Sequence, residues 1–323
     1  MPDQSDRRIW IDGELVPWAE ATVHVLSHSH QRGSLVFDYL SVHPTPRGPA
    51  VFRLGEHLAR FRASTDLMGL PVGPGPAELR PAVLATVRAN PGCGSVKICA
   101  YLPSIEVDVV PQDARVSIAI AAYDTGPDVI AKNPGTFHFA PELRLWIEKE
   151  RRNRRADILP PQAKVAANYA SPMVAKWRAR QNGYDEIVLV DEDGNLAEAP
   201  TSNVFLVDGE GALHTPAERN VLLGITRRSV IELARDAGRT VAEEAIAPDA
   251  LFAAAEVFLT ATTAGVWPVV SVDGKPIGEG VPGPVTLALK ERLQAVASGA
   301  VPEFANWLAY ASEGAAARPL EGA

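Results

Sequence analysis

Two short segments hold the residue types most able to do chemistry. Gln162-Ala163-Lys164-Val165-Ala166-Ala167-Asn168-Tyr169 places one lysine among small apolar residues, with a tyrosine shortly after it. Desolvation favours the neutral amine, which can attack a carbonyl and form a Schiff base. Asn195-Leu196-Ala197-Glu198-Ala199-Pro200-Thr201-Ser202-Asn203 places a carboxylate at the end of a strand-and-turn unit. A carboxylate taken out of water needs a partner, and a protonated ring nitrogen is one. Each has a plainer alternative, a solvated lysine and a solvated turn glutamate.

Three more segments suit an anion. Leu223-Gly224-Ile225-Thr226-Arg227 lies just before a predicted helix, where free backbone N–H groups carry the positive end of the dipole. Gly224 lets the backbone come close and Thr226 adds a hydroxyl, although the same pattern also reads as an ordinary threonine N-cap. Thr260-Ala261-Thr262-Thr263-Ala264-Gly265 follows an apolar strand with small hydroxyl residues. Arg60, in His57-Leu58-Ala59-Arg60-Phe61, offers a bidentate guanidinium, against the plainer reading of an exposed helix arginine.

In this order the segments resemble the class IV (fold type IV) aminotransferases, which depend on pyridoxal 5′-phosphate and include branched-chain, D-amino-acid and (R)-amine enzymes. The family's lysine motif runs Ala-Lys, small residues, Asn-Tyr. Its glutamate motif runs Ala-Glu-Gly-Ser-x-x-Asn, from which Ala199 and Pro200 depart locally. Its phosphate motif is Leu-x-Gly-Ile-Thr-Arg. The resemblance extends from Ile9 to about Leu308. It implies that Lys164 holds pyridoxal 5′-phosphate covalently and moves the proton. It implies that Glu198 binds the pyridine nitrogen, so that the ring serves as an electron sink. Tyr169 would bond a cofactor oxygen, and Arg60, Gly224, Ile225, Thr226, Thr262 and Thr263 would surround the phosphate. The partners implied are a small-molecule amino donor, a keto acceptor, and further copies of the chain in a homodimer or dimer of dimers.

The substrate side departs further. Branched-chain enzymes carry Tyr-Gly-x-x-x-Phe-Glu-Gly-x-Arg, whereas this chain reads Arg32-Gly33-Ser34-Leu35-Val36-Phe37-Asp38-Tyr39-Leu40-Ser41. A later Ile-Arg-Pro reads Val96-Lys97-Ile98. Arginine binds carboxylates bidentately and lysine does not replace it in kind. Ser34 to Asp38 and Thr262 to Gly265 lean towards the (R)-amine enzymes. The resemblance places Arg32, Phe37, Tyr39, Lys97 and Ala264 against the substrate. The cluster Arg151, Arg152, Arg154 and Arg155 reads mainly as a solvated basic loop, with one member able to reach a carboxylate. The expected function is branched-chain-like transamination. The alternatives are an (R)-amine or D-amino-acid transaminase, a lyase of the aminodeoxychorismate type, and a non-catalytic carrier of the cofactor.

These residues need elements to position them. A hairpin turns at Asp12-Gly13, and helices are predicted from Phe52 to about Met68, over 78–89, 171–182 and 226–237. Strands are predicted over 95–102, 115–123, 186–190, 204–207 and 256–259. The fold class expected is α/β (α+β), with a small N-terminal domain over 1–125, a linker over 126–136, a larger cofactor-binding domain over 137–308 and a flexible tail over 309–323. His28 and His30 are expected on an extended chain. His24 and His57 read as packing or capping residues, and no metal site is expected.

The 323 residues are 46% hydrophobic and 22% charged, as in an ordinary globular enzyme, and the net charge of −8 argues against nucleic acid. Cys93 and Cys99 fit no zinc or redox spacing, which points to a reducing compartment. The polar N-terminus lacks a signal core, and no apolar run is long enough for a bilayer. A cytoplasmic location away from membranes is expected.

Overall fold

The computed structural model describes residues 6–133 and 140–314 and arranges them around two sheets. The first is built from β1 (Arg8–Ile11), β2 (Glu14–Pro17), β3 (Val36–His43), β4 (Ala50–Phe52), β5 (Ser95–Tyr101) and β6 (Ser117–Tyr123). Asp12 and Gly13 turn β1 into β2 at φ 48° and 110°. Burial alternates along β3: Val36, Asp38, Leu40 and Val42 are buried, while Phe37, Tyr39, Ser41 and His43 stay partly open. This period of two puts the second set on one face of the sheet. The buried face packs on α2 (Leu54–Leu67) and α3 (Pro76–Ala89), through Leu58, Phe61, Val83 and Val87. A short α1 (His28–Arg32) precedes β3.

The second sheet is mixed and has nine strands. Its elements in chain order are β7 (Leu143–Ile147), α4 (Ala170–Gln181), β8 (Glu186–Val188), β9 (Glu198–Ala199), β10 (Ser202–Val207), β11 (Leu213–Pro216), α5 (Ile225–Asp236), β12 (Val241–Glu244), α6 (Ala250–Ala253), β13 (Glu256–Ala261), β14 (Gly265–Val272), β15 (Lys275–Pro276) and α7 (Pro284–Ala297). Phe205 and Phe258 stack with centroids 5.0 Å apart between β10 and β13. Together with Val230, Leu289 and Leu293 they seat α5 and α7 on the sheet.

Two features join the sheets near the site. The lysine segment runs beside the start of β3: Phe37 N donates to Lys164 O at 3.0 Å and Ala166 N to Leu35 O at 2.8 Å. Arg53, at φ 48°, leads into α2 and reaches across to α5. Its guanidinium donates to Ser229 Oγ and to both oxygens of Glu232, and lies 4.0 Å above the Trp307 ring.

Three expectations change. The tail does not begin at Ala309: Leu308–Tyr310 is β16, which pairs with β4 and completes the first sheet at seven strands. Ala309 and Tyr310 are buried there, because a short apolar run finds the open edge of β4 even though the residues around it look frayed. Residues 315–323 of the expected tail lie outside the described residues. The expected linker, 126–136, begins inside a π-helical turn, Thr125–Ile130, that Asp124 caps, and 134–136 lie outside the described residues. His28 and His30 sit on α1, not on extended chain, and Gly33 closes that helix at φ 68°. No helix among the described residues is long and apolar enough to cross a membrane.

Candidate active site

The strand-like run around Lys164 is pinned on both sides. Lys164 N donates to Ser64 Oγ on α2 at 3.1 Å, and Ala163 and Val165 are fully buried. A 3-10 turn, Ala166–Tyr169, then carries the tyrosine back over the lysine. Lys164 Nζ donates to Tyr169 Oη at 3.1 Å and lies 5.1 Å from the centroid of the Phe37 ring. Nζ is thus held by a phenol and an aromatic face, and among the described residues no carboxylate is in hydrogen-bond contact with it.

Glu198 opens the short β9 that pairs with β10, and it is buried. Its Oε1 accepts from Arg154 Nη1 at 3.1 Å. Its Oε2 accepts from Leu222 N at 3.1 Å and from Asn203 Nδ2 at 3.4 Å. Burial pushes this carboxyl above the usual carboxylate range, and the Arg154 guanidinium and the Leu222 N–H oppose that rise. The Arg154 guanidinium also lies 5.1 Å from the Tyr169 centroid. Arg154 is the main departure from the solvated-loop expectation. Arg152 and Arg155 are exposed, but Arg154 turns inward to the one buried carboxylate near it.

Opposite lies the start of α5. Gly224 precedes it, and Ile225, Thr226 and Arg227 precede the first intrahelical bond, from Arg228 N to Gly224 O. No side chain caps this end. A Cβ on Gly224 would lie 2.1 Å from Asn203 Oδ1, so only glycine fits. Arg60 reaches the same place from α2. Its Nε and Nη2 form a fork on Asp38 at 2.9 and 2.7 Å, and its Nη1 donates to Leu223 O at 3.0 Å. Three of its five N–H bonds are thereby used and two remain. Asp38 also meets His57 Nδ1 at 2.8 Å. Burial would raise the Asp38 carboxyl, but Arg60 and His57 outweigh it and hold the group far below the ordinary carboxylate range. His57 is therefore more than packing: it is a partner of this carboxylate. Burial lowers its own pKa in spite of Asp38.

Arg60, Arg154, Lys164, Tyr169, Glu198, Gly224, Ile225, Thr226 and Thr262 line a single cleft. Thr263 and Ala264 lie in the same β13–β14 turn as Thr262 but line an adjoining cavity. Phe37 stands at the cleft edge, 5.3 Å from Tyr169 centroid to centroid. Lys97 lies across from Tyr39 on β5, with Nζ 4.8 Å from the Phe37 centroid. Tyr39 Oη donates to Ser95 Oγ at 2.5 Å. Arg32 is not brought to the cleft of its own chain. It is exposed at the last turn of α1 and donates to Val107 O at 2.5 Å. Among the described residues no cluster of metal-ligating side chains occurs.

The family profile described as amino-transferase class IV matches residues 35–272. The chain belongs to the class IV aminotransferases. The branched-chain-amino-acid aminotransferase of Escherichia coli is 32% identical to it over 305 residues, covering 93% of this chain and 96% of that one. Among solved structures, the branched-chain aminotransferase of the thermophilic archaeon Thermoproteus uzoniensis, with norvaline, matches at TM-score 0.85 and 30% identity, covering 94% of this chain and 99% of that one. The branched-chain amino acid aminotransferase of Thermobaculum terrenum, in its PLP form, matches at TM-score 0.84 and 29% identity, covering 95% and 99%. Class IV aminotransferases are transaminases that work with pyridoxal 5′-phosphate, and this cleft fits that cofactor. Ser202 Oγ, Thr260 Oγ1 and Arg154 Nε are buried without a hydrogen-bond partner, and all three residues line the cleft. The free helix N–H groups and the N–H bonds that Arg60 does not spend on Asp38 and Leu223 form a donor set for a dianion, and Glu198 offers a carboxyl group to a ring nitrogen.

Proposed function

We propose that Lys164 is the covalent anchor of pyridoxal 5′-phosphate and the base of an amino-acid transamination like that of the branched-chain enzymes. The observation that carries this reading is one lysine amine, held by Tyr169 and Phe37, in the same cleft as the buried Glu198 and the free start of α5. Bound there, the cofactor supplies an electron sink for the carbanion left when the amino-bearing carbon of the substrate loses its proton. The residues do the rest. Arg60, Ile225, Thr226 and Thr262 hold the phosphate. Glu198 would face the ring nitrogen, and Arg154 opposes the rise that burial imposes on its carboxyl. Lys164 Nζ would take the proton from the substrate carbon and hand it to the cofactor carbon, as general base and then general acid. Phe37 and Lys97 meet the substrate.

The residues fall into a smaller unit over 1–125 and a larger one over 137–308. The chain works as a cytoplasmic homodimer. Val107, Val109 and Val110 are exposed beside Arg32, an apolar and cationic surface suited to a second copy. A second functional reading, (R)-amine transamination, is favoured by Ser41 and Lys97, which stand where the branched-chain motifs hold arginine. The test is to mix the yellow holoenzyme separately with L-leucine, D-alanine and (R)-1-phenylethylamine and follow the visible absorbance. Rapid loss with L-leucine supports the first reading. Loss only with the amine or with D-alanine replaces it by the second, and no visible band in any preparation removes both.

A further inference from the structure

Two arginines cross from the α2 end of the first unit to α5. Arg60 holds Leu223 O, just before α5, at 3.0 Å. Arg53 reaches one turn further in. Its Nη2 donates to both oxygens of Glu232 at 2.9 and 3.0 Å, and its Nε to Glu56 Oε1 at 2.8 Å. Its Nη1 donates to Ser229 Oγ at 3.1 Å, and Ser229 Oγ in turn donates to Ile225 O at 2.8 Å. Ile225 is the first residue of α5 and lines the cofactor cleft. Two hydrogen bonds in line therefore join a buried guanidinium to the helix start. A hydroxyl that accepts from a cation donates more strongly, so each bond firms the other.

The charge of Arg53 is already met by Glu56 and Glu232, so what it passes to the cleft is geometry. Free N–H groups hold an anion only when they converge on it, because a hydrogen bond weakens steeply with angle. No side chain caps this end of α5. Arg53 also stands at φ 48° and ψ 43°, a left-handed conformation that costs free energy for any residue with a side chain. Such strain persists where surrounding contacts over-determine it, and the hydrogen bonds above and the Trp307 ring, 4.0 Å away, are those contacts.

Given the cofactor reading above, we propose that Arg53 is a positioning residue for the phosphate: acting through Ser229 on Ile225, it sets the first turn of α5 so that the free N–H groups there converge on the dianion. The full chain, freed of cofactor, is titrated with pyridoxal 5′-phosphate and with pyridoxal, which lacks the phosphate, and both are followed by the visible band. The intact protein is expected to favour the phosphorylated form. Ser229→Ala cuts the relay, and alanine is the better helix former, so α5 itself is not weakened. The preference should fall by about three- to tenfold, the equivalent of one hydrogen bond, while pyridoxal affinity stays within about twofold. Arg53→Met should lower the preference at least as far, and the double variant no further than Arg53→Met, because both residues act along one path. A merely structural role would weaken both ligands alike in Ser229→Ala; that result, or an unchanged preference, overturns the proposal. Should Arg53→Met fail to fold, Ser229→Ala decides alone. An intact protein with no visible band, or with no preference for the phosphorylated form, removes the cofactor reading itself and this role with it.

Discussion

Gly224→Ala puts the geometry of the phosphate end to a direct test. The new Cβ would stand 2.1 Å from Asn203 Oδ1 and 3.2 Å from Arg227 Cβ. Because contacts below 3.0 Å essentially never occur, Asn203 must retreat by about an ångström. It is buried, and the open space beside it is the cleft that the cofactor would fill. Its retreat breaks the 2.9 Å bond from Asn203 Nδ2 to Leu222 O and loosens the one to Glu198. Overpacking of this kind costs about 1–3 kcal/mol, and a buried carbonyl left without its donor costs about 1–3 kcal/mol more. About 2–6 kcal/mol should therefore be lost, divided between the unfolding free energy of the cofactor-free protein and the affinity for pyridoxal 5′-phosphate. Urea unfolding measures the first part and a cofactor titration, read by the visible band, measures the second. In an Asn203→Ala background the obstacle is gone, so the same glycine substitution should cost less than about 1 kcal/mol. Wild-type stability and affinity in Gly224→Ala would refute the steric argument, and so would an equal penalty in both backgrounds.

Further perturbations separate the other contacts. Glu198→Gln keeps the shape but leaves Arg154 buried beside a neutral group. Turnover should fall by about 10²–10³-fold while the cofactor still binds, and a turnover within threefold of wild type would count against Glu198. Arg154→Met removes the group that opposes the upward shift of Glu198. The acid limb of the rate profile should move to higher pH, and an unmoved limb would leave Arg154 without this role. Asp38→Asn breaks a buried pair, for about 3–5 kcal/mol of stability. Because the folded-state pKa of Asp38 lies below its unfolded value, this contribution is present above about pH 3.9 and is lost as pH falls through the folded value. The difference between wild type and variant should be flat from about pH 5 to 8 and shrink below about pH 4. A difference that grows on acidification would contradict the ion pair.

Much of this site is readable from sequence because its parts lie in contiguous runs. Lys164 and Tyr169 belong to one turn, Gly224 to Thr226 to one helix start, and Glu198 to one short strand, so local chemistry identifies them. Arg154 is different. Four arginines occur within five residues, and nothing local says which one turns inward; only the buried Glu198 decides. Asp38 and His57 are nineteen residues apart on different elements, and their meeting with Arg60 depends on α2 packing against β3. β16 is similarly hidden, because Leu308–Tyr310 becomes a strand only where β4 offers an edge. Arg32 shows the opposite case: its position in the motif is clear, but the end of α1 points it away from the cleft of its own chain.

The central claim is that Lys164 holds the cofactor. Borohydride reduction of the holoenzyme, followed by proteolysis and mass spectrometry, tests it most directly. A phosphopyridoxyl adduct is expected on Lys164 alone, with no adduct in Lys164→Ala. An adduct on Lys97 or Lys290, or an unmodified Lys164 in a reduced yellow enzyme, would contradict it.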